Sequence, residues 1–276
     1  MYMETIMKKI DSLPPLPQTL IRLQEFKEQG SNDIKELISI IEKDPLTIST
    51  LLKVANSAMF GFVSKIETPS RAVNLLGIDF TISIALASNI SKAVNTNLQS
   101  YGKQSDDFLD IANLQTTFIS LWISKVDPKL KEELIIPAFL QESGKFLISD
   151  IINTLGVNSS FLQEVNSRFD DITSVEKEFI GITTSEITAA IFRHWNLTPS
   201  IINTIRYSDE PLQASTLLQK YAQVLYIAKL ICNIIKPFDQ KVIDKALKDA
   251  QEFGYEEKPL KEAILKLQEK IKSDKE

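Results

Sequence analysis

An all-α fold is expected for this chain of 276 residues, and three features of the sequence predict it. Apolar residues recur at i, i+3, i+4 and i+7 over most of the length. Cap residues and prolines stand just ahead of several of these stripes. No stretch alternates apolar and polar residues between hairpin turns. With only 8 glycines, few positions interrupt the helical periodicity.

Residues 13 to 17, LPPLP, are too rich in proline for helix and read as an extended entry segment. Leu20, Leu23 and Phe26 then mark a helix closing at Gly30. A stripe of Ile34, Leu37, Ile38 and Ile41 marks the next. Asp44 is placed as an N-cap with Pro45 in the first helical position. The expected buried face behind them is Ile48, Leu51, Leu52, Ala55 and Met59, running out near Asn56-Ser57 with Gly61 as a stop. Thr68-Pro69 repeats the device ahead of Ala72, Val73 and Leu76, and Gly77 suits a left-handed αL cap. Phe80 to Val94 follows as a helix rich in small residues. The polar stretch 95 to 105 reads as a linker or subdomain boundary.

The stripe from Asp106 to Val126 carries Phe108, Ile111, Ala112, Phe118, Ile119 and Trp122, with Gln115 where an apolar residue is expected. Leu134 to Ile152 is apolar nearly all round and is expected to be one central helix. Gln141, Glu142, Ser143 and Lys145 interrupt its middle, so it packs around a polar network or lines a site. Short helices are expected around Phe161–Phe169 and Val175–Ile180. Thr183 and Glu186 have capping-box spacing for a helix to Trp195, and Thr198-Pro199 starts another. A long helix from Ala214 to Ile235 and two amphipathic ones, Val242–Phe253 and Leu260–Ile271, complete the chain.

The net charge of -5 gives no general attraction to nucleic acid or to an anionic membrane surface. No segment approaches the ~20 apolar residues of a membrane span; Lys229 and Asn233 cut the best candidate. The first residues lack the pattern of a signal peptide. One cysteine, Cys232, excludes a disulfide framework and reads as a core residue in a reducing compartment. A soluble, cytoplasmic protein is expected. His194 is the only histidine, which leaves little for imidazole-based chemistry, and it reads as a solvated helix residue.

The entry LPPLP and the segments EKDPLTISTLLKVANSAMFG, TPSRAVNLLG, AFLQESGK, EKEFIGITTSEITAAIFRHW and IINTIRYSDE together resemble the HDOD family, the HD-related output domain of bacterial signalling proteins. The likeness covers roughly residues 10 to 210 and implies a multi-helical HD-domain-like fold with an N-terminal helical subdomain. It divides the chain into an N-terminal half (10–100), an HD-like half (101–210) and C-terminal helices packing on it (211–276). In the related phosphohydrolases a His-Asp pair and further histidines hold water-activating metal ions. Carried over, the resemblance puts Gln115 near the first ligand histidine, Gln141 and Glu142 at the His-Asp pair, Thr184 at a later histidine, and Ser208 and Asp209 at a histidine pair. Gln and Thr are poor ligands for a transition metal. The resemblance therefore implies a vestigial site without catalytic residues, metal or cofactor. Gln141 and Glu142 would be held in a polar core, with Glu142 pairing with Lys145 at i, i+3 and Thr184 capping its helix.

Asp44, Pro45, Asn56, Ser57 and Gly77 belong to the family-like N-terminal motif, with a structural or partner-binding role. The expected function is a non-catalytic signalling module that binds a signalling protein partner, with a small-molecule ligand as a further option and neither nucleic acid nor membrane as targets. The rival is a divalent-metal phosphohydrolase or phosphodiesterase with an atypical carboxylate site using Glu142 and Asp209.

Overall fold

A computed structural model describes residues 2–62, 64–94 and 97–273. Among them are sixteen α-helices, three single-turn 3₁₀ segments and no strand. The N-terminal helices are α1 (Tyr2–Asp11), α2 (Gln18–Glu28), α3 (Ile34–Ile41), α4 (Pro45–Ala55), α5 (Pro69–Leu76) and α6 (Ile78–Val94). The first was not legible as a helix in the sequence, yet Ile6 and Ile10 on it are fully buried and it packs on α12 (Thr184–His194).

Local chemistry sets the starts of α3, α4 and α5. Asp33 accepts from the amides of Lys35 and Glu36, Asp44 from Leu46, and Thr68 from Arg71. Such caps satisfy amides that have no partner inside the helix. The buried face of α4 differs from the expected one: Thr47, Thr50, Leu51, Val54 and Ala55 face inward, while Ile48 and Leu52 are half-buried. Thr47 can be buried because its hydroxyl donates to Asp44 at 2.7 Å, which turns a polar position into an apolar-compatible one. The helix stops at Asn56, and Met59 lies in the 3₁₀ turn beyond it. Gly77 has φ 86° and ψ 170°, outside the αL region expected for it; its amide still bonds the Val73 carbonyl at 2.8 Å. Only glycine adopts that backbone readily.

The stretch after α6 is not bare. Leu98 and, in the 3₁₀ turn Gln99–Tyr101 that follows it, Ser100 and Tyr101 are buried, and the turn packs on α9 (Gly144–Leu155) and α10 (Asn158–Ser167); residues 95 and 96 lie outside the described part. Helices α7 (Ser105–Ile123) and α8 (Pro128–Leu140) pack on each other, and α6 lies against α4 and α8. Then come α9, α10, α11 (Ile172–Ile180), α12, α13 (Pro199–Arg206), α14 (Thr216–Ile231), α15 (Gln240–Glu252) and α16 (Glu257–Ser273). The capping box of α12 is present: Thr183 N donates to Glu186 at 3.0 Å and Glu186 N to Thr183 Oγ1 at 3.2 Å.

The expected single helix over Leu134–Ile152 is two helices, α8 and α9, separated by Gln141–Ser143. Pro137 has no amide hydrogen for the preceding turn. At the junction the bonds shorten to the i→i+3 type: Ser143 N to Leu140 O and Lys145 N to Glu142 O, each 3.0 Å. No single described helix is long and apolar enough to cross a membrane.

Candidate functional site: a buried polar cluster at the α8–α9 junction

The junction presses against α12 at Gly144. A Cβ there would lie 2.5 Å from the Thr184 carbonyl oxygen and 2.8 Å from Thr188 Oγ1. Without one, Gly144 N donates to Thr188 Oγ1 at 2.8 Å, while that hydroxyl donates back to the Thr184 carbonyl at 2.8 Å. This close approach brings Glu142 and Lys145 beside the start of α12, the middle of α11 and the inner side of α14.

Lys145 Nζ donates to Glu176 Oε1 at 2.6 Å and Thr184 Oγ1 at 3.1 Å, and lies 3.3 Å from Glu142 Oε2. The Tyr101 ring is 4.9 Å from it, and the Tyr101 hydroxyl donates to Glu176 at 2.9 Å. Glu176 also accepts from the Thr184 amide at 2.9 Å and from the Thr184 hydroxyl at 2.8 Å. A second ammonium, Lys229 on α14, donates to Asp209 and lies 3.9 Å from Glu142 Oε2. Asp209 accepts further from the Ser185 amide at 2.7 Å.

The amides close the cluster from the side of α7. Gln141 Nε2 donates to Gln115 Oε1 at 2.8 Å. Gln115 Nε2 in turn faces Glu142 Oε1 at 3.1 Å and the Cys232 carbonyl at 3.2 Å. Three carboxylates and two ammoniums are thus gathered in one buried place, an arrangement that survives only if each charge has partners.

Burial alone would discharge Lys145; the carboxylates of Glu142 and Glu176 overcome it and hold its pKa well above the usual lysine value. Burial likewise opposes the charge of Asp209, but the ammonium and hydrogen bond of Lys229 win and keep its pKa low. Burial and Glu176 push the Tyr101 phenol up, so it remains a neutral donor. Burial also raises the pKa of the Cys232 thiol, making it a core group rather than a nucleophile.

The structure brings together five of the six sequence-derived pocket residues. Gln115, Gln141 and Glu142 bond to one another, while Thr184 and Asp209 join through Lys145 and Lys229. Ser208 is buried beside Asp209, but its hydroxyl has no bonding partner in the cluster. Thr184 is not the helix cap expected of it; Thr183 is, and Thr184 serves Glu176. Glu142 pairs with Lys145 as the spacing foretold, although Glu176 is the closer partner. The cluster opens on a cleft of about 270 Å³ lined by Glu142, Lys145, Asp209 and Lys229 together with Phe169 and Tyr226.

The N-terminal motif lies elsewhere. Asn56 ends α4 and clips the following loop, donating to the Ile66 carbonyl at 2.7 Å and accepting from its amide at 2.8 Å. Ser57 Oγ accepts from Asn113 of α7 at 3.1 Å. His194 is half-buried beside Trp195.

With this geometry in view, residues 13–211 match the HDOD domain family model. The chain belongs to the HDOD family. A protein of Treponema pallidum (strain Nichols) is 24% identical over 205 residues, a match that covers 74% of this chain and 39% of that protein, so the chain spans about two fifths of its relative's length. A solved structure of a putative phosphohydrolase from Shewanella amazonensis SB2B superposes with a TM-score of 0.67 at 22% identity, covering 96% of this chain and 94% of that one. A putative signal transduction protein from Marinobacter aquaeolei VT8 gives 0.71 at 17% identity, covering 99% and 63%. The all-α fold of this HDOD protein is therefore HD-domain-like.

The HD-like fold implies a metal site, and the residues present do not fit one. Neutral Gln115, Gln141 and Thr184 are weak donors for a transition metal. The carboxylates Glu142, Glu176 and Asp209 already face two ammoniums of the chain's own. Among the described residues no three His, Cys, Asp or Glu side chains are grouped to hold an ion. Glu176, Lys229 and Tyr101 are the cluster members that sequence reasoning missed. Lys229 did leave a signal, as a charge cutting an apolar run; Glu176 and Tyr101 left none.

Proposed function

We propose that this HDOD domain is a non-catalytic regulatory module of signal transduction that works by binding a partner protein, with its HD-like site kept as a structural core. One observation carries the reading: the ammoniums of Lys145 and Lys229 sit among the carboxylates, so the cation these carboxylates require is built into the chain. The neutral amides of Gln115 and Gln141 fit that role, since Gln141 donates to Gln115 and Gln115 to Glu142, and neither binds a metal tightly. A net charge of -5 without basic tracts favours protein partners over nucleic acid. The rival, a carboxylate-metal phosphohydrolase, requires both lysines to leave their partners.

The test is metal analysis of the purified protein together with an assay for cleavage of cyclic dinucleotides in Mg²⁺ or Mn²⁺. The expected result is no stoichiometric metal and no turnover. Stoichiometric iron or manganese, or turnover abolished by Glu142→Ala, overturns the reading.

A further inference from the structure

Away from the polar cluster, a groove of about 800 Å³ runs between α2, α8, α13 and α14. Its apolar residues are Ile136 and Pro137 from α8, Ile201 from α13, and Leu217 and Leu218 from α14. Ile136 and Ile201 also border a small adjoining recess of about 20 Å³, lined mainly by Leu23, Ile82, Leu86 and Leu197. Leu217 is 84% exposed, in the first turn of a helix whose other leucines are largely covered. An exposed leucine alone needs no explanation; one lining a groove of this size beside Ile136, Pro137, Ile201 and Leu218 forms a surface able to bury another apolar side chain.

The charges around the groove choose the occupant. Glu28, Asp79, Glu132 and Glu133 line it against Lys27 and Lys129. Lys27 is bonded to Asp79, and Lys129 stands 4.0 Å from Glu133. Glu28 and Glu132 are exposed and pair with no lysine of the groove, Glu28 accepting only from the neutral amide of Gln24 at 3.0 Å, which leaves an acidic surplus on an apolar trough.

We infer that this groove docks an amphipathic helix of a partner protein, with leucine-like side chains entering the trough and Lys or Arg residues pairing with Glu28 and Glu132. An amphipathic helix supplies both faces at once, apolar anchors at i, i+3, i+4 and i+7 and basic residues flanking them. A wholly apolar ligand would leave the carboxylates unmatched, and an acidic one would be repelled. The groove is lined by residues outside the polar cluster, so its test stands or fails independently of the metal and turnover assays.

The probe is a fluorescein-labelled model peptide of about 18 residues, with leucines at helical spacing and lysines flanking them, titrated against the full chain by anisotropy. The control peptide carries glutamate in place of each lysine. The expected result is saturable binding of the lysine peptide alone, weakened by salt and by at least about tenfold in both Leu217→Glu and Glu132→Lys. Both positions are exposed, so neither substitution disturbs the fold. Absence of binding, equal binding of the two peptides, or binding indifferent to Leu217→Glu overturns the inference. So does a concentration-dependent dimer that Leu217→Glu abolishes, which assigns the groove to a second copy of the chain.

Discussion

Asp44 at the start of α4 and Glu142 at the α8–α9 junction are both carboxylates bonded to a side-chain amide, and they are held in different ways. Asp44 is satisfied by neutral donors, two of them within three residues: the Leu46 amide at 3.1 Å, the Thr47 hydroxyl at 2.7 Å and, from α6, Asn89 at 3.2 Å. Glu142 depends on charges and amides brought from α7, α9 and α14. A cap of the first kind is set by the sequence around it and contributes a modest, separable amount. A cluster of the second kind exists only when five helices are assembled, and losing one charge strands another.

The widest gap between the two regions should appear on removing an ammonium. Lys145→Met leaves Glu142 and Glu176 without their shared cation in a buried place, with an expected loss of about 3–5 kcal/mol in denaturant unfolding. A loss under about 1 kcal/mol would place the cluster among solvent-screened surface pairs. Gly144→Ala sharpens the comparison through sterics alone. Its Cβ meets backbone atoms of α12 at Thr184 and Thr188 that cannot rotate away, and a cost of about 3 kcal/mol is expected in the same measurement.

Acid separates the regions less sharply, because Asp209 and Asp44 both have pKa values lowered by folding. Each therefore contributes stability that is complete above the unfolded carboxylate value of about 3.9 and is lost as pH falls through the lower folded value. Lys145 has the opposite sign. Its raised pKa gives stability that is complete below the unfolded lysine value of about 10.4 and lost only as pH climbs through the folded one. Stability measured against pH should fall on the acid side below about pH 4, with a shallower slope in Asp209→Asn than in the parent. An unchanged slope would remove Asp209 from the set of linked groups. The smallest effect is expected at the cap: Asp44→Ala should cost about 1 kcal/mol by thermal or denaturant unfolding, without altering the alkaline limb.

The same contrast explains what was legible in the sequence. Asp44-Pro45, Thr68-Pro69 and the Thr183–Glu186 box act within four residues, so the helix starts could be read directly. Gln115, Gln141 and Glu142 were visible as polar breaks in apolar stripes. Glu176 and Tyr101 were not, because nothing near them in the chain shows that both point at Lys145; that follows from the packing of α9 against α11 and the turn at 99–101. The face of α4 was misread for a related reason. A threonine bonded to a nearby carboxylate can occupy a core position that a hydrophobic pattern reserves for isoleucine. The break at Gln141–Ser143 was hidden because a polar interruption alone does not distinguish one lined helix from two helices meeting.

The indole of Trp195 donates to the Pro14 carbonyl at 2.9 Å, fastening the proline-rich entry segment to the end of α12. That link lies inside the segment recognisable by family, residues 13–211, whereas the unit that holds itself together extends past both of its borders. Excising the segment would strip away α1, with its buried Ile6 and Ile10, from the face of α12 on which it packs. It would also discard α14 with Lys229 and the carbonyl of Cys232, leaving Asp209 and Gln115 each short of a partner. A fragment cut at those borders should be judged a damaged protein, and any activity or inactivity measured on it should not be ascribed to the whole.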